Sequence, residues 1–149
     1  MEKLEYHKYQ QEISLEKTCC FYVSDFHLEM ILVPYINEKI DENITILSEK
    51  KLKDTVKILV SKMNLKEENK EKILSLGWDG EEKIKENSNI IVIGTKEYIK
   101  NKNEEIINKN AISVLDCYDF EQEKDFMDEI LKQYKNTLNI LGKNTFENF

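Results

Sequence analysis

The stretch Ile90-Ile91-Val92-Ile93-Gly94-Thr95 decides the fold prediction. Its first four residues form an unbroken apolar run, Gly94 follows as a small residue, and a helical pattern begins directly after Thr95. Three similar runs recur along the 149 residues: Cys19 to Val23, Ile44 to Leu47 and Ile112 to Leu115. Each is nearly continuous in apolarity, which is typical of a strand covered on both faces of a parallel sheet. Strand and helix patterns alternate along the chain, which indicates βαβ units.

Amphipathic patterns predict five helices, at residues 26–40, 51–63, 67–76, 96–108 and 123–138. Pro34 predicts a kink or break in the first helix, and Gly77 a left-handed cap after the third. We therefore expect a three-layer α/β fold, with a mostly parallel four-stranded sheet and helices on both faces. Residues 1–17 are interpreted as a polar N-terminal segment, residues 18–149 as the single domain, and Leu141 to Phe149 as a closing loop.

The composition excludes several classes of protein. The formal net charge is −7 and all 22 basic residues are Lys, so electrostatics give no support for nucleic-acid binding. The longest apolar run is too short to span a bilayer, and the polar start is unlike a signal peptide. An odd count of three cysteines indicates reduced thiols in a cytosol. We expect a cytoplasmic protein with no membrane or nucleic-acid partner.

Ligands of open parallel sheets bind outside the carboxyl ends of the strands, and this rule selects the candidate site. Asp25 and His27 could act as an acid–base pair, although a helix-capping role for Ser24 or Asp25 is the commoner one. Ser48 and Thr95 are favoured as helix N-caps, with anion binding as the alternative. The predicted ligand-binding residues are Ser24, Asp25, His27, Thr95, Asp116 and Tyr118.

Cofactor motifs are absent from the sequence. It contains neither GxxxxGK[ST] nor GxGxxG, which makes a Walker-type or dinucleotide site unexpected. Cys19 and Cys20 should point to opposite faces of a strand, Cys117 should follow the last strand, and no Cys and His set has metal-ligand spacing. We expect no cofactor and no bound metal.

Two parts of the chain resemble a known family. The sequence from Cys19 to Asp25, with Leu32 to Ile36 and Ile44 to Leu47, looks like the opening of the MEDS family, a sensory domain described in methanogens and methylotrophs. Ile112 to Phe120 resembles its closing strand, and Phe126 to Tyr134 its last helix. The family tends to carry an Arg-containing glycine segment, whereas this chain has no Arg. The resemblance implies a RecA-like α/β core without a functional P-loop, used for sensing in signalling proteins.

Three functions remain open from the sequence. The first, which we favour, is a non-catalytic sensory or regulatory module that binds a small ligand or a partner protein. The second is a small Mg²⁺-dependent enzyme acting on a phosphorylated or nucleotide substrate, with phosphate contacts from Lys51 or Lys96. Its metal ligands would be Asp25, Glu49, Asp116 and Asp119. The third is a structural interaction protein, such as a homodimer formed through Phe146, Phe149 and the N-terminal segment.

Overall fold

A computed structural model describes residues 15–145 of the chain. The homodimer contact predicted for Phe146, Phe149 and the first residues lies outside that range. So does most of the segment 1–17, although its last two residues already belong to the first strand, which begins at Glu16. All further structural statements concern the described residues.

Six strands form one sheet in the order β2-β3-β4-β1-β5-β6. The strands are β1 (Glu16–Tyr22), β2 (Asn43–Ser48), β3 (Ser88–Ile93), β4 (Ser113–Asp119), β5 (Asn136–Asn139) and β6 (Gly142–Thr145). The first five are parallel, and β6 pairs antiparallel with β5. The predicted α/β fold with a mostly parallel sheet is confirmed, and the four predicted strands form its centre and one edge. The two additional strands extend the sheet beyond β1.

Helices cover both faces of this sheet. They are α1 (Asp25–Glu38), α2 (Lys53–Lys62), α3 (Glu67–Leu74), α4 (Lys96–Ile106), α5 (Phe120–Glu123) and α6 (Met127–Leu131), with a 3₁₀ turn at Lys124–Phe126. On one side, here called face A, α1, α2 and α3 contribute Leu32, Val56 and Ile73 to a buried core. On the other, face B, α4 and α6 contribute Ile99 and Ile130. Fully burying such a side chain stabilises the fold by about 1.5–3 kcal/mol.

The predicted helix 123–138 is wrong. The chain there forms α5, the 3₁₀ turn and α6, and then becomes β5. Ile130 and Tyr134 pack in the core of face B, whereas Leu138 packs in the core of face A. A single straight helix lies on one side of a sheet and could not deliver these side chains to both cores. The predicted loop after Leu141 likewise contains β6.

Two local predictions also need correction. Of the kink or break predicted at Pro34, the break is wrong, because helix α1 continues to Glu38. Pro34 lies on the exposed side of the helix, where the carbonyl that loses its partner can bind water. Gly77 is not in the left-handed region; Gly80 is, with φ of 147°. In the turn after α3, the glycine with a positive φ therefore lies three positions later than predicted.

The outer edge of β2 is covered by the segment that follows Trp78. The Ser48 N–H donates to the Gly80 carbonyl at 3.3 Å, and the Ile46 N–H donates to Glu82 Oε1. Lys85 Nζ donates to the Ile44 carbonyl at 2.8 Å. Backbone groups that an edge strand usually exposes are therefore already hydrogen-bonded.

Candidate functional site

The residues after β1 build the start of α1. Ser24 Oγ accepts the His27 N–H at 3.1 Å, and His27 Nδ1 accepts the Val23 N–H at 3.0 Å. The two side chains thus close the first helical turn reciprocally, as a capping box does. Asp25 forms an ion pair with Lys50 instead of contacting His27 in an acid–base pair. The capping role predicted for Ser24 is confirmed.

The backbone N–H groups at the start of α4 also have hydrogen-bond acceptors, and two of these acceptors are carboxylates from elsewhere in the chain. Thr95 Oγ1 accepts the Tyr98 N–H at 3.2 Å, which confirms Thr95 as the N-cap. Glu49 Oε1 accepts the Thr95 N–H at 2.7 Å, and Glu123 Oε1 accepts the Lys96 N–H at 3.3 Å. Internal carboxylates therefore occupy the position where an anion would bind to this helix terminus.

Ser48 does not cap a helix, contrary to the prediction. Its Oγ accepts the Lys50 N–H and donates to the Lys50 carbonyl, each at 2.9 Å, which holds the turn after β2. Helix α2 begins five residues later, at Lys53. The Lys53 N–H donates to Asp79 Oδ1 at 2.9 Å, so the cap comes from the turn after α3.

Asp116 lies inside β4 and not after it, because that strand extends to Asp119. It is fully buried, and it shares face B with Tyr118, two residues further on. Tyr134 Oη donates to Asp116 Oδ2 at 2.5 Å, and Asn103 Nδ2 donates to Oδ1 at 3.0 Å. Since Tyr134 has one hydroxyl proton, Tyr118 must donate in the 2.6 Å contact between the two hydroxyls. The result is a directed chain from Tyr118 through Tyr134 to Asp116.

Burial has the largest effect on the pKa values of the three groups in this hydrogen-bond chain. It raises the pKa of the Asp116 carboxyl, while hydrogen bonds from Tyr134 and Asn103 and the charge of Lys17 offset part of the effect. The pKa values of Tyr118 and Tyr134 are also raised, first by burial and then by the nearby Asp116. Both phenols therefore remain protonated and serve as hydrogen-bond donors.

A groove of about 740 Å³ lies on face B above these hydrogen-bonded residues, between α4 and the segment from α6 to Tyr134. Tyr118 and Tyr134 lie in its lining, and their rings meet edge to face with centroids 6.2 Å apart. Apolar side chains, including Ile99 and Ile130, form its walls. Small-molecule sites typically have volumes of about 300–1,000 Å³, and the volume of this groove lies in that range. Its lining combines apolar side chains with charged and amide side chains, most of them from α4.

The six predicted ligand-binding residues therefore do not form one site. Ser24, Asp25 and His27 begin α1, which packs on face A, and Thr95 begins α4. Asp116 and Tyr118 lie on face B under the groove. Of the six, Tyr118 lines the groove directly, and Asp116 is tied to it through Tyr134 and Asn103.

The four acids predicted as magnesium ligands do not converge. Asp25 pairs with Lys50, Glu49 caps α4, Asp116 is buried on face B, and Asp119 accepts the Glu121 N–H at 3.0 Å. Within residues 15–145, no group of three or more His, Cys, Asp or Glu side chains could hold a metal ion.

The cysteines are buried and free. Cys19 packs on face B and Cys20 on face A, which confirms their opposite orientation. Cys117 lies within β4, not after it as predicted, and pairs in register with Cys20 on the neighbouring strand. Burial raises the pKa values of the Cys19 and Cys117 thiols, Cys19 to about 12, which keeps both as unreactive thiols.

Sequence reasoning missed Asn103, Tyr134 and Lys17, which complete the groove. Tyr134 had no distinguishing local pattern, since it reaches Asp116 from the segment after α6. A search for polar residues on the apolar side of α4 could have found Asn103, which lies three residues from the buried Ile106 and four from the buried Ile99.

The sequence matched no protein-family model and no curated protein, and no solved structure matched the fold. In the part of the chain that the structure describes, every helix is too short or too polar to cross a membrane.

Proposed function

We propose that this chain is a non-catalytic regulatory module that binds a small ligand in the face B groove. The observation that carries the proposal is the groove itself, whose lining joins apolar side chains and the rings of Tyr118 and Tyr134 to polar and charged side chains of α4. The alternative position, at the carboxyl ends of the strands, is weaker, because Ser24, His27 and Thr95 already use polar atoms for helix capping.

The directed hydrogen-bond chain supports binding in preference to catalysis. Its carboxylate, Asp116, is fully buried and already accepts two hydrogen bonds, so it has no free approach to a substrate. A satisfied buried network is rigid, and a rigid lining lowers the ordering cost of ligand binding.

The regulatory role rests on the resemblance to the MEDS sensory family. That resemblance implies a RecA-like core without a P-loop, and a parallel sheet with β1 in its interior is compatible with such a core. We place the module in the cytosol, where its buried free thiols would remain reduced.

A melting-temperature screen against metabolites of several charge classes tests the proposal. A ligand at about 100 times its dissociation constant should stabilise the protein by roughly 2.7 kcal/mol. Ile107→Trp places a large side chain in the groove lining and should abolish the shift. Asn101→Trp, on an exposed position of α4 outside that lining, is the matched control and should preserve it.

Two outcomes would reject the groove as the site. One is a set of ligands whose shifts are equally large in the Ile107→Trp variant and in the unmodified protein. The other is the absence of any shift across the panel. Circular dichroism of both tryptophan variants establishes that each is folded before ligands are compared.

A further inference from the structure

We infer that the ligand of the face B groove is an organic anion with an apolar body. This inference rests on the proposed function and adds the chemical class of the ligand. It is carried by the position and pairing of the three lysines in the groove lining, Lys17, Lys96 and Lys100.

None of these lysines has an ion-pair partner within the described residues. Seven ion pairs occur there, and their cations are Lys50, Lys70, Lys72, Lys85, Lys102 and Lys124. Two of the three instead contact aromatic rings: Lys17 Nζ lies 5.7 Å from the Tyr134 ring centroid, and Lys96 Nζ lies 3.8 Å from that of Phe126. A cation on a ring retains N–H donors for an anionic group.

Helical spacing brings Lys96 and Lys100 to the side of α4 that faces the groove. They share one stripe with Asn103 and Ile107, at intervals of three or four residues. The two glutamates in the lining, Glu97 and Glu104, follow this stripe by one residue and are turned further from the buried Ile99 and Ile106. The positive charges therefore lie nearer to the groove axis than the negative ones.

Asp116 weakens the attraction of the groove for an anion only in part. It is fully buried, and two hydrogen bonds and the charge of Lys17 offset part of its effect. Lys96 and Lys100 are then the cations left for a ligand. Their backbone lies in the first two turns of α4, and because Glu49 and Glu123 occupy the N–H groups at the helix terminus, an anion would be held by the lysine side chains and not by the terminus itself.

The apolar body of the ligand would lie against the rings of Tyr118 and Tyr134, which both line the groove. These rings meet edge to face with centroids 6.2 Å apart, and Phe21 supports Tyr118 from outside the lining. Flat apolar groups pack well on such rings. An anionic group at the Lys96 end and a ring over Tyr118 would satisfy both parts of the lining.

Three naphthalene compounds with one body and different charges test the inference. Isothermal titration calorimetry would measure dissociation constants for naphthalene-1-carboxylate, naphthalene-1-carboxamide and 1-naphthylmethylamine. The carboxylate should bind at least about tenfold more tightly than the amide, and the amine most weakly. Raising the salt concentration should weaken the binding of the carboxylate but not that of the amide.

Lysine variants connect the effect to the groove. Lys96→Gln with Lys100→Gln should bring the carboxylate to the affinity of the amide. Lys62→Gln, at the exposed end of α2 away from the groove, is the matched control and should change nothing.

Equal affinity for naphthalene-1-carboxylate and naphthalene-1-carboxamide would overturn the inference that the ligand is an anion. If Ile107→Trp still weakened the binding of both compounds, the proposed function would survive that result. Failure of all three compounds to bind at millimolar concentration would also overturn the inference. A hit of another chemistry that Ile107→Trp abolishes would then support the proposed function on its own.

Discussion

Glu29, on α1, is a buried acid with an incomplete set of hydrogen bonds. It is 1% exposed, Thr55 Oγ1 lies 2.5 Å from its Oε2, and its Oε1 has no hydrogen-bond partner in the described structure. The Thr55 hydroxyl also lies 3.1 Å from the Leu52 carbonyl and has one proton to donate. The hydroxyl can donate to Glu29 Oε2 or to the Leu52 carbonyl, and in either case Glu29 Oε1 stays buried without a donor. Burial accordingly raises the pKa of Glu29.

The raised pKa predicts that stability falls as pH rises. An unfolded Glu titrates at about pH 4.3. Between that value and the higher pKa of the folded state, the native protein binds more protons, so its free energy of unfolding decreases with pH. Glu29→Gln should remove this decrease and stabilise the protein at neutral pH by on the order of 1 kcal/mol.

Urea unfolding over the range from about pH 4 to pH 7 would measure this effect. Glu38→Gln, at the exposed end of the same helix, is the control and should retain the pH dependence of the unmodified protein. A Glu29→Gln variant with an unchanged pH profile would show that folding does not raise the pKa of Glu29.

For individual residues, a role could be predicted from the sequence where the hydrogen-bond partners are close in sequence. Ser24 and Thr95 cap helices through N–H groups three residues away, and their sequence context was sufficient. Asp116 was recognised as notable, but its partners Asn103 and Tyr134 are 13 and 18 residues away. Their meeting depends on how α4 and α6 pack on face B, which no local pattern specifies.

At the scale of elements, the turn from β3 to α4 depends on Gly94. A Cβ there would collide with Glu49 Oε1 and the Tyr98 ring. Gly94→Ala should displace the carboxylate that accepts the Thr95 N–H and destabilise the protein by about 1–3 kcal/mol. Chemical denaturation of the variant would measure the loss.

A double-mutant cycle would identify the cause of that loss. In a Glu49→Ala background the same glycine substitution should cost less, because one of the two obstructing groups is gone. An equal cost in both backgrounds would mean that Glu49 is not what the new methyl group meets.

Elements defined by local periodicity were predicted well, and those defined by distant pairing were not. The runs at Ile44 and Ile90 gave β2 and β3 within two residues of their observed starts. Leu138, in contrast, continues the spacing of Ile130 and Tyr134, so a helix was the natural prediction. Its place in β5 comes from the pairing of that strand with β1, more than 110 residues earlier in the chain.

For the whole molecule, the two cores share one sheet and should unfold together. Trp78, the only tryptophan, is fully buried on face A and donates to the Ile73 carbonyl at 2.7 Å. Ile130→Ala, on face B, should destabilise the protein by about 2–5 kcal/mol. The fluorescence of Trp78 should report that full loss although the substitution lies across the sheet.

Coincident urea transitions by Trp78 fluorescence and far-ultraviolet circular dichroism would establish this coupling. Ile58→Ala, at a 58% exposed position of α2, is the control and should change stability by no more than about 0.5 kcal/mol. Separate transitions would mean that each face unfolds on its own.

The covered edge of β2 limits how these molecules can aggregate. A strand from another chain docks by matching a row of open donors and acceptors, and at β2 that row is already engaged by Gly80, Glu82 and Lys85. Templated fibre growth on this side would first require the 80–86 segment to peel away. Loosening that segment should therefore promote amyloid-like assembly before it abolishes the fold.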